Sequence, residues 1–352
     1  MMKKVRFGIV GTGRISDWVL KGAVLDPRFE AAAVCSRSEE SAKVFASKHG
    51  IPATYTDLEE MLSDDSLDAI YIGTPNFTHH DIAIRCMERG KNVLCEKPLA
   101  SNAREVEEMI GCARKNDVLL MEAMISPLNP NFRNARKHIP EIGPVRQWNA
   151  SFCQYSSKMD LLKKIVSGAS DSPLPSSMNP DAAGGATLDV GIYTIYPMVV
   201  LFGEPSTVKA DLVTMEVPTS EGLKKIDIQG NVLFTYPGMQ ATVAYSKMAD
   251  SRLRTEISGD GGIISMDAIH ITRDVTLTRR GAPTSGRSSG PQSEDITVPA
   301  DADEYFCEFK EFIDLLQSGR KESETDSLDN SLVTARVMDE IRRQGGVRFP
   351  MD

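Results

Sequence analysis

The chain has 352 residues and a formal net charge of −9 at neutral pH. That length suggests two domains, each able to bury a hydrophobic core. The negative charge, with no dense block of Lys or Arg, argues against nucleic acid or an anionic membrane as a partner. No apolar run approaches the roughly 20 residues of a membrane span, and the N-terminal apolar segment is too short for a signal sequence. We therefore expect a cytoplasmic protein.

The cysteines show no paired spacing, so neither a disulfide framework nor a zinc site is indicated. We expect buried free thiols and no metal. The six positions are Cys35, Cys86, Cys95, Cys112, Cys153 and Cys307.

An apolar run over residues 5–10 is followed at once by two glycines one residue apart. This pattern predicts a buried strand that turns sharply into a helix, where backbone N–H groups and the helix dipole favour a pyrophosphate. The third small position is Ser16 rather than glycine, and a turn that needs glycine for backbone reasons alone is the alternative. The predicted cofactor contacts in this turn are Gly11, Thr12, Gly13, Arg14 and Ile15.

The first 120 residues alternate between predicted strands and helices, which indicates a parallel sheet with helices on both faces. Ligands bind such sheets beyond the carboxyl ends of the strands. In chain order we predict a helix over 15–24, a strand over 29–35, a helix over 38–49 stopped by Gly50, a capping box at 56–59 opening a short helix, a strand over 67–72, a helix over 78–90, a strand over 93–95, a helix over 102–116 and a strand over 118–121.

The second strand ends without the acidic residue that would bind the ribose of NAD. Ser36 and Arg37 stand there instead, and a guanidinium with hydroxyls suits the extra phosphate of NADP. We therefore favour NADP over NAD, with a solvated Arg37 at a helix start as the alternative.

The fourth strand ends in Thr74, Pro75 and Asn76, with His79 close behind. These residues are predicted to face the ribose and nicotinamide, although polar residues that begin a helix explain them as well. His79 and His80 are adjacent, so on a helix they do not form a metal pair.

The fifth strand ends in Glu96-Lys97-Pro98, and Glu96 and Lys97 are predicted cofactor contacts. A lysine at the carboxyl end of a buried strand indicates chemistry, with a structural ion pair as the alternative. Desolvation lowers the pKa of such a lysine and the neighbouring acid raises it, so the sequence does not give the net direction.

Together these motifs resemble the glucose-fructose oxidoreductase / inositol dehydrogenase / MocA family of dehydrogenases. The similarity spans nearly the whole chain and is far more specific than the glycine turn alone. It is carried by Gly11-Thr12-Gly13, Gly73-Thr74-Pro75-Asn76 with His79, Glu96-Lys97-Pro98, Met121-Glu122-Ala123, residues 184–193, Gly259-Asp260-Gly261-Gly262 and the closing helix that ends in residues 341–344.

The resemblance implies an NAD(P)-binding Rossmann domain over residues 1–123. It also implies an α/β domain over 124–352 that is built on a large, mostly antiparallel open sheet and forms a homodimer or higher homo-oligomer. The sequence supports the sheet independently, because short strand patterns follow one another after Val145. They cover residues 147–153, 207–213, 226–236, 240–245 and 263–265, and closing helices are predicted over 304–316 and 328–343.

Two loops rich in Gly, Ser and Pro, over 167–179 and 281–293, are predicted to be mobile. Between the strands, Pro237 and Gly238 occupy the central positions of a predicted type II turn.

Asp189 and Tyr193 lie four residues apart, so on a helix they would share one face. Gly184-Gly185 would let that helix begin close to other backbone. The family commonly has a His acid/base at the position of Tyr193. In having Tyr there, this chain resembles the glucose-fructose oxidoreductase and dimeric dihydrodiol dehydrogenase branches of the family. A half-buried aromatic is the alternative for Tyr193.

The mechanistic hypothesis assigns catalysis to Lys97 and Tyr193. Tyr193 would move the hydroxyl proton, since a nearby ammonium lowers the pKa of a phenol toward working pH. Lys97 would polarise the reacting oxygen, and Asp189 would orient a substrate hydroxyl.

The segment over 122–130 departs from the sugar-active members, whose Tyr and His are replaced here by Ser126 and Asn129. The predicted substrate contacts are nevertheless Asp189, Lys97, Ser126 and Asn129. The substrate is a small polyol, a cyclic sugar derivative, or a less polar carbonyl or trans-diol. A catalytically silent protein that senses a dinucleotide or sugar is the alternative function, and a strand-end lysine argues against it.

Overall fold

The computed structural model describes residues 3–281, 291–300 and 302–352, which form two compact units. The first contains the described residues of Met1–Leu128 and Asp301–Ala335, and the second contains those of Asn129–Ala300 and Arg336–Pro350. Within these described ranges, no helix is both long enough and apolar enough to cross a membrane.

The first unit alternates strands and helices as predicted. They are β1 (Val5–Val10), α1 (Arg14–Ala23), β2 (Phe29–Cys35), α2 (Glu39–His49), β3 (Ala53–Tyr55), α3 (Leu58–Leu62), β4 (Ala69–Ile72), α4 (His79–Glu88), β5 (Asn92–Glu96), α5 (Ala103–Lys115), β6 (Leu120–Ala123) and α6 (Ile125–Leu128). The strands pair in the order β3-β2-β1-β4-β5-β6, and every neighbouring pair is parallel. The doubly wound parallel sheet is confirmed, so the carboxyl ends of its strands meet at one edge.

Local signals set the ends of these helices. The Ser38 hydroxyl accepts a backbone N–H at the start of α2, and Gly50 ends that helix with a φ of 67°. At α3 the capping residue is Asp57, whose carboxylate accepts a backbone N–H. The capping box predicted to begin at Thr56 is therefore wrong by one residue, because Asp57 is the residue with extended backbone before the first turn.

The second unit is built on one large sheet. Its elements are α7 (Pro130–His138), β7 (Val145–Cys153), α8 (Met159–Val166), a π-helix (Thr187–Gly191), α9 (Ile192–Phe202), β8 (Thr207–Thr219), β9 (Gly222–Tyr236), β10 (Met239–Ser246), β11 (Thr255–Gly259), β12 (Gly262–Met266), β13 (Val275–Arg279) and β14 (Gln292–Asp295). After these elements the chain closes with two helices, α10 (Phe306–Ser318) and α11 (Leu328–Gly345). The strand order is β14-β13-β12-β11-β7-β10-β9-β8. Among the described strands of this sheet only β7 and β10 pair in parallel, so the mostly antiparallel sheet is confirmed.

The sheet of the second unit has one covered face. Trp148 on β7, Phe234 on β9 and Tyr245 on β10 are fully buried, and the π-helix and α9 pack against these strands. Along β8 exposed positions alternate mostly with half-buried ones, and Leu233 on β9 remains 37% exposed. The opposite face of this sheet in the described chain therefore lacks the cover that the first face has.

Helix α10 belongs to the first unit, which corrects the predicted division into 1–123 and 124–352. Phe309 and Phe312 are fully buried, and the centroid of each ring lies 5.6 Å from that of Phe7 on β1. The physical reason is hydrophobic: the apolar face of α10 is buried against the aromatic residues of the first sheet.

Several elements were not predicted, including β3, β11, β13, β14 and α8. These segments are short, with three to eight residues, and a short run shows little periodicity. At the predicted turn, Gly238 has a φ of 75°, as a type II turn requires. Of the two predicted mobile loops, the stretch 282–290 lies outside the described residues, and mobility of 167–179 stays a prediction.

Candidate active site

The turn after β1 has the geometry of a phosphate-binding loop. Gly11 has a φ of 100°, and a β-carbon there would lie 2.5 Å from the Gly73 carbonyl oxygen. Gly13 precedes α1 and provides no side-chain cap for it. The N–H groups of the first turn of α1 are therefore suited to receive an anion, and the turn fits the pyrophosphate of a dinucleotide.

The other residues of the glycine turn link it to the neighbouring strand. Thr12 Oγ1 lies 3.3 Å from Ser36 Oγ at the end of β2, and the exposed Arg37 follows. The Arg14 guanidinium lies 5.0 Å from the centroid of the Trp18 ring. Ile15 is half-buried beside it on α1. The predicted contacts of the first two strands thus lie together at the carboxyl edge of the sheet.

The loop after β4 lies at the same edge. The Thr78 hydroxyl lies 2.7 Å from Thr74 Oγ1 and 2.7 Å from the Pro75 carbonyl oxygen, which holds the loop in a tight turn. Pro75 is exposed, whereas Thr74 and Asn76 are half-buried. Contact of these three residues with a cofactor stays a prediction.

His79 links two loops at this edge. Its ring is fully buried, with Nε2 2.9 Å from the Thr74 carbonyl oxygen and Nδ1 2.9 Å from that of Pro98. Burial lowers the pKa of His79 because it disfavours the imidazolium. The ring therefore bridges the loops after β4 and β5, and contact of His79 with a cofactor stays a prediction.

Lys97 follows β5 and is half-buried near three buried carboxyl groups. These belong to Glu96 on β5, Glu122 on β6 and Glu308 on α10. Burial raises the pKa of each, to about 7 for Glu96 and Glu122, while the Lys97 ammonium acts in the opposite direction on all three. The charge of Lys97 therefore partly offsets the burial of this acidic cluster in the first unit.

Glu96 is also placed differently from its prediction as a cofactor contact. It is 6% exposed, and it accepts a hydrogen bond of 2.8 Å from the Tyr71 hydroxyl. Successive side chains of a strand point to opposite faces, and Glu96 points into the core. Its position favours support of the strand end over contact with a ligand.

In the second unit, the segment around Asp189 begins where only glycine fits. A β-carbon on Gly184 would lie 2.5 Å from the Ser176 carbonyl oxygen, and one on Gly185 would lie 2.3 Å from Asp227 Oδ1. Gly185 also has a φ of 142°. The prediction that this glycine pair permits a close backbone approach is confirmed.

The expectation of one regular helix carrying Asp189 and Tyr193 is corrected, because Thr187–Gly191 is a π-helix and α9 begins only at Ile192. Single π-turns within helices occur frequently at functional sites. The two side chains have different neighbours. The Lys247 ammonium donates to Asp189 Oδ2 over 2.6 Å, and the Lys247 side chain is only 3% exposed.

Tyr193 lies among aromatic rings and is half-buried. Its centroid lies 5.3 Å from that of Phe152 and 6.1 Å from that of His270, both in edge-on geometry. The Phe152 and His270 rings are themselves 4.3 Å apart. The Tyr193 phenol thus lies beside two flat rings, one apolar and one an imidazole.

The structure gives no support to substrate binding by Ser126 or Asn129. Ser126 is fully buried in α6, with Oγ 4.0 Å from Met124 Sδ. Asn129 is 6% exposed and caps α7, because its Oδ1 accepts the N–H groups of Asn131 and Phe132. Both polar groups are used by the local fold.

Sequence reasoning missed several residues of these sites, namely Phe152, Asp227, Lys247, His270 and Glu308. One signal was available: Lys247 directly follows a strand, as Lys97 does. The joint action of Lys97 and Tyr193 stays a prediction, since they belong to different units. Over the described ranges, no group of three or more His, Cys, Asp or Glu side chains is arranged to hold a metal ion.

Comparison with known proteins agrees with this arrangement. Residues 5–124 match the GFO_IDH_MocA model, described as an oxidoreductase family with an NAD-binding Rossmann fold. Residues 132–265 match the GFO/IDH/MocA C-terminal domain. The two matches cover the cofactor edge of the first unit and most of the large sheet.

Two relatives and one solved structure extend the comparison. The scyllo-inositol 2-dehydrogenase (NADP+) IolU of Bacillus subtilis is 40% identical over 99% of both chains. The trans-1,2-dihydrobenzene-1,2-diol dehydrogenase of Xenopus laevis is 32% identical over 98% of this chain and 99% of its own. A levoglucosan dehydrogenase solved with NADH and levoglucosan shares the fold, with a TM-score of 0.83 at 20% identity over 98% of each chain. The chain therefore belongs to the Gfo/Idh/MocA family of NAD(P)-dependent oxidoreductases.

Proposed function

We propose that the protein is an NADP-dependent dehydrogenase of a cyclic polyol. The observation that carries this proposal is the Asp189 carboxylate, held at 2.6 Å by the buried Lys247 ammonium and four residues before Tyr193. A fixed carboxylate is a strong acceptor for a substrate hydroxyl. The relative that is 40% identical over nearly the whole chain is named for scyllo-inositol and NADP+, which supports the same substrate class and cofactor.

The preference for NADP rests on the end of β2. Ser36 and the exposed Arg37 stand where an acidic residue would bind the NAD ribose, and a guanidinium forms charge-assisted hydrogen bonds with a phosphate. Pyrophosphate binding is assigned to the glycine turn and the first turn of α1.

When bound, a nicotinamide cofactor would supply hydride transfer in either direction. In the proposed mechanism Tyr193 takes the proton of the reacting hydroxyl, and Lys97 polarises that oxygen. Asp189 accepts a neighbouring hydroxyl and thereby orients the ring of the substrate. Positioning supplies most of the rate.

Oxidation of a trans-diol is the second candidate. The Phe152 and His270 rings beside Tyr193 would suit a flat, less polar ring, and relatives at 30–32% identity carry that activity in their names. Diol oxidation would depend on aromatic contacts to the substrate, whereas polyol oxidation would depend on the substrate hydroxyl that Asp189 accepts.

Nicotinamide absorbance with a panel of substrates tests both candidates. We expect NADP+ reduction with scyllo-inositol, weaker turnover with trans-1,2-dihydrobenzene-1,2-diol, and a lower rate with NAD+. Faster turnover of the diol would favour the second candidate. No turnover across sugars, polyols and diols, together with tight NADPH binding, would instead favour a regulatory protein that senses a dinucleotide or sugar.

Family membership also supports a proposal for the assembly and location of the protein. We infer a cytoplasmic homodimer or higher homo-oligomer in which the less covered face of the eight-stranded sheet forms the contact. Exposed apolar side chains on this sheet, among them Val213 and Leu233, support that choice of surface. Sedimentation velocity tests it, and a monomer at micromolar concentration would contradict it.

A further inference from the structure

Lys247 is a buried lysine that connects three separate segments of the second unit. It directly follows β10, and its N–H donates to the Ile228 carbonyl oxygen over 2.9 Å, which continues the pairing with β9. Only 3% of its side chain is exposed. A lysine buried to this degree needs compensating partners, because an ammonium loses its hydration on burial.

The ammonium has two hydrogen-bond partners of different kinds. It donates to Asp189 Oδ2 over 2.6 Å and to the Ser177 carbonyl oxygen over 2.7 Å. Asp189 belongs to the π-helix, whereas Ser177 lies near the end of the loop over 167–179. One side chain therefore ties that loop to the π-helix.

A second carboxylate lies on the adjacent strand. Asp227 on β9 is fully buried, and its Oδ2 accepts the Thr187 N–H over 2.6 Å and the Thr187 hydroxyl over 2.7 Å. Burial raises the pKa of Asp227, and the Lys247 ammonium acts in the opposite direction. Asp227 thus hydrogen-bonds to Thr187, the first residue of the π-helix, and Lys247 hydrogen-bonds to Asp189, the third.

We propose that Lys247 is a positioning residue of the substrate site, which sets the orientation of the Asp189 carboxylate and fastens the loop over 167–179 to it. This inference rests on the proposed function, in which Asp189 accepts a hydroxyl of the substrate. Because 35% of the Asp189 side chain is exposed, the carboxylate would turn toward water if its buried partner were removed. The substrate would then have to order that side chain as it binds, which lowers affinity.

The chain offers a matched control on the same sheet. Lys224 on β9 donates to Asp181 Oδ1 over 2.7 Å, and both side chains are about a quarter exposed. Replacing Lys224 by Met removes an ion pair near the glycine pair without touching Asp189. Lys247→Arg serves as the conservative variant, since it keeps a positive charge at this position.

The test compares Lys247→Met, Lys247→Arg and Lys224→Met with the wild type in the full-length protein. We expect Lys247→Met to raise the KM for scyllo-inositol about 10- to 100-fold, as expected for loss of a charge-assisted hydrogen bond, while the Kd for NADPH stays unchanged. Lys247→Arg should recover part of the loss, and Lys224→Met should keep the wild-type KM. In Asp189→Asn, the added Lys247→Met change should raise KM no further.

An unchanged KM in folded Lys247→Met, or an equal effect of Lys224→Met, would overturn the proposal. Amide hydrogen exchange gives a readout that needs no substrate: Lys247→Met should accelerate exchange in peptides over 167–179 and 185–193, and Lys224→Met should not. If wild-type enzyme turned over only the diol, the proposed polyol function would fail while the exchange result still decided the role of Lys247. Exchange that matched the wild type in both segments would refute that role.

Discussion

A β-carbon on Gly11 would lie 2.5 Å from the carbonyl oxygen of Gly73, so the first and fourth strands of the parallel sheet meet where only glycine fits. Gly11 also has a φ of 100°, a region that other L-residues rarely adopt. Gly11→Ala should therefore reduce the free energy of unfolding by about 2 kcal/mol or more, from backbone strain and the steric clash together. Chemical denaturation of the cofactor-free protein measures the loss.

Gly13→Ala is the matched control for Gly11→Ala. Gly13 has a φ of −74°, and a β-carbon there would be 3.9 Å from the Gly73 carbonyl oxygen. We expect unchanged stability but weaker NADPH binding, since the methyl group would face the pyrophosphate. Equal stability of the two variants would contradict the structural account of Gly11.

Arg37→Ala tests the choice of cofactor. We expect kcat/KM for NADP+ to fall about 10- to 100-fold, because the 2′-phosphate loses a charge-assisted hydrogen bond, and kcat/KM for NAD+ to change little. Steady-state kinetics with both cofactors gives the ratio. Lys43→Ala on α2, where 64% of the lysine side chain is exposed, is the control for a change in surface charge. A parallel fall with NADP+ and NAD+ would argue against phosphate recognition by Arg37.

Lys97→Met tests the catalytic assignment in the first unit. Turnover should fall about 10²-fold or more, while the Kd for NADPH stays nearly the same, because the ammonium acts on the reacting oxygen. Tyr193→Phe should reduce turnover to a similar extent by removing the proton carrier. The measurement is kcat with the best substrate of the panel and NADPH binding by fluorescence.

Lys91→Met is the control for Lys97→Met, since Lys91 is 6% exposed at the opposite end of the same strand. Its ammonium donates to the carbonyl oxygens of Asp64 and Leu67 at 2.7 and 3.1 Å. We expect this variant to lose stability and to keep turnover. Survival of turnover in Lys97→Met would remove Lys97 from the mechanism.

Glu122→Gln tests the buried acidic cluster through pH dependence. Burial raises the pKa of Glu122 from 4.5 to about 7, so the folded state holds a proton that the unfolded state has released between these values. Stability from this group is therefore present at low pH and is lost as the pH rises from about 4.5 to 7. The free energy of unfolding falls by at most about 3 kcal/mol, since each unit of difference between the folded and unfolded pKa of Glu122 corresponds to about 1.4 kcal/mol.

The glutamine variant removes this titration but keeps an oxygen for the Leu99 N–H, which donates to Glu122 Oε1 over 2.9 Å. We expect a flatter dependence of unfolding free energy on pH between 5 and 8, and higher relative stability at pH 8. Urea denaturation at several pH values measures it. A slope as steep as that of the wild type would show that Glu122 does not hold the proton.

The cofactor side was largely predictable from the sequence because its signals are local. Gly11 and Lys97 each directly follow a strand, Arg37 is the second residue after β2, and strand ends in a parallel sheet converge at one edge. The burial of the His79 and Glu96 side chains was not predicted, since nothing in the sequence shows that they turn inward. The direction of a side chain depends on register and on neighbouring loops, which are set by packing.

The partners on the substrate side were less predictable. Asp189 and Tyr193 were found from their spacing and from the family pattern, but their neighbours Lys247, Phe152 and His270 come from strands and loops far along the chain. The burial of Ser126 in α6 and the capping of α7 by Asn129 were not predicted, and substrate contact by these two residues stays a prediction.

The sequence by itself determined the parallel sheet, the glycine turn and the lysine at the end of β5, because helix and strand periodicity and turn chemistry are encoded in neighbouring residues. Only the tertiary structure decided that α10 packs on the first sheet, that a π-helix carries Asp189, and that Lys247 is buried against it. The physical reason is that hydrophobic burial and the compensation of buried charge act between segments distant in the chain.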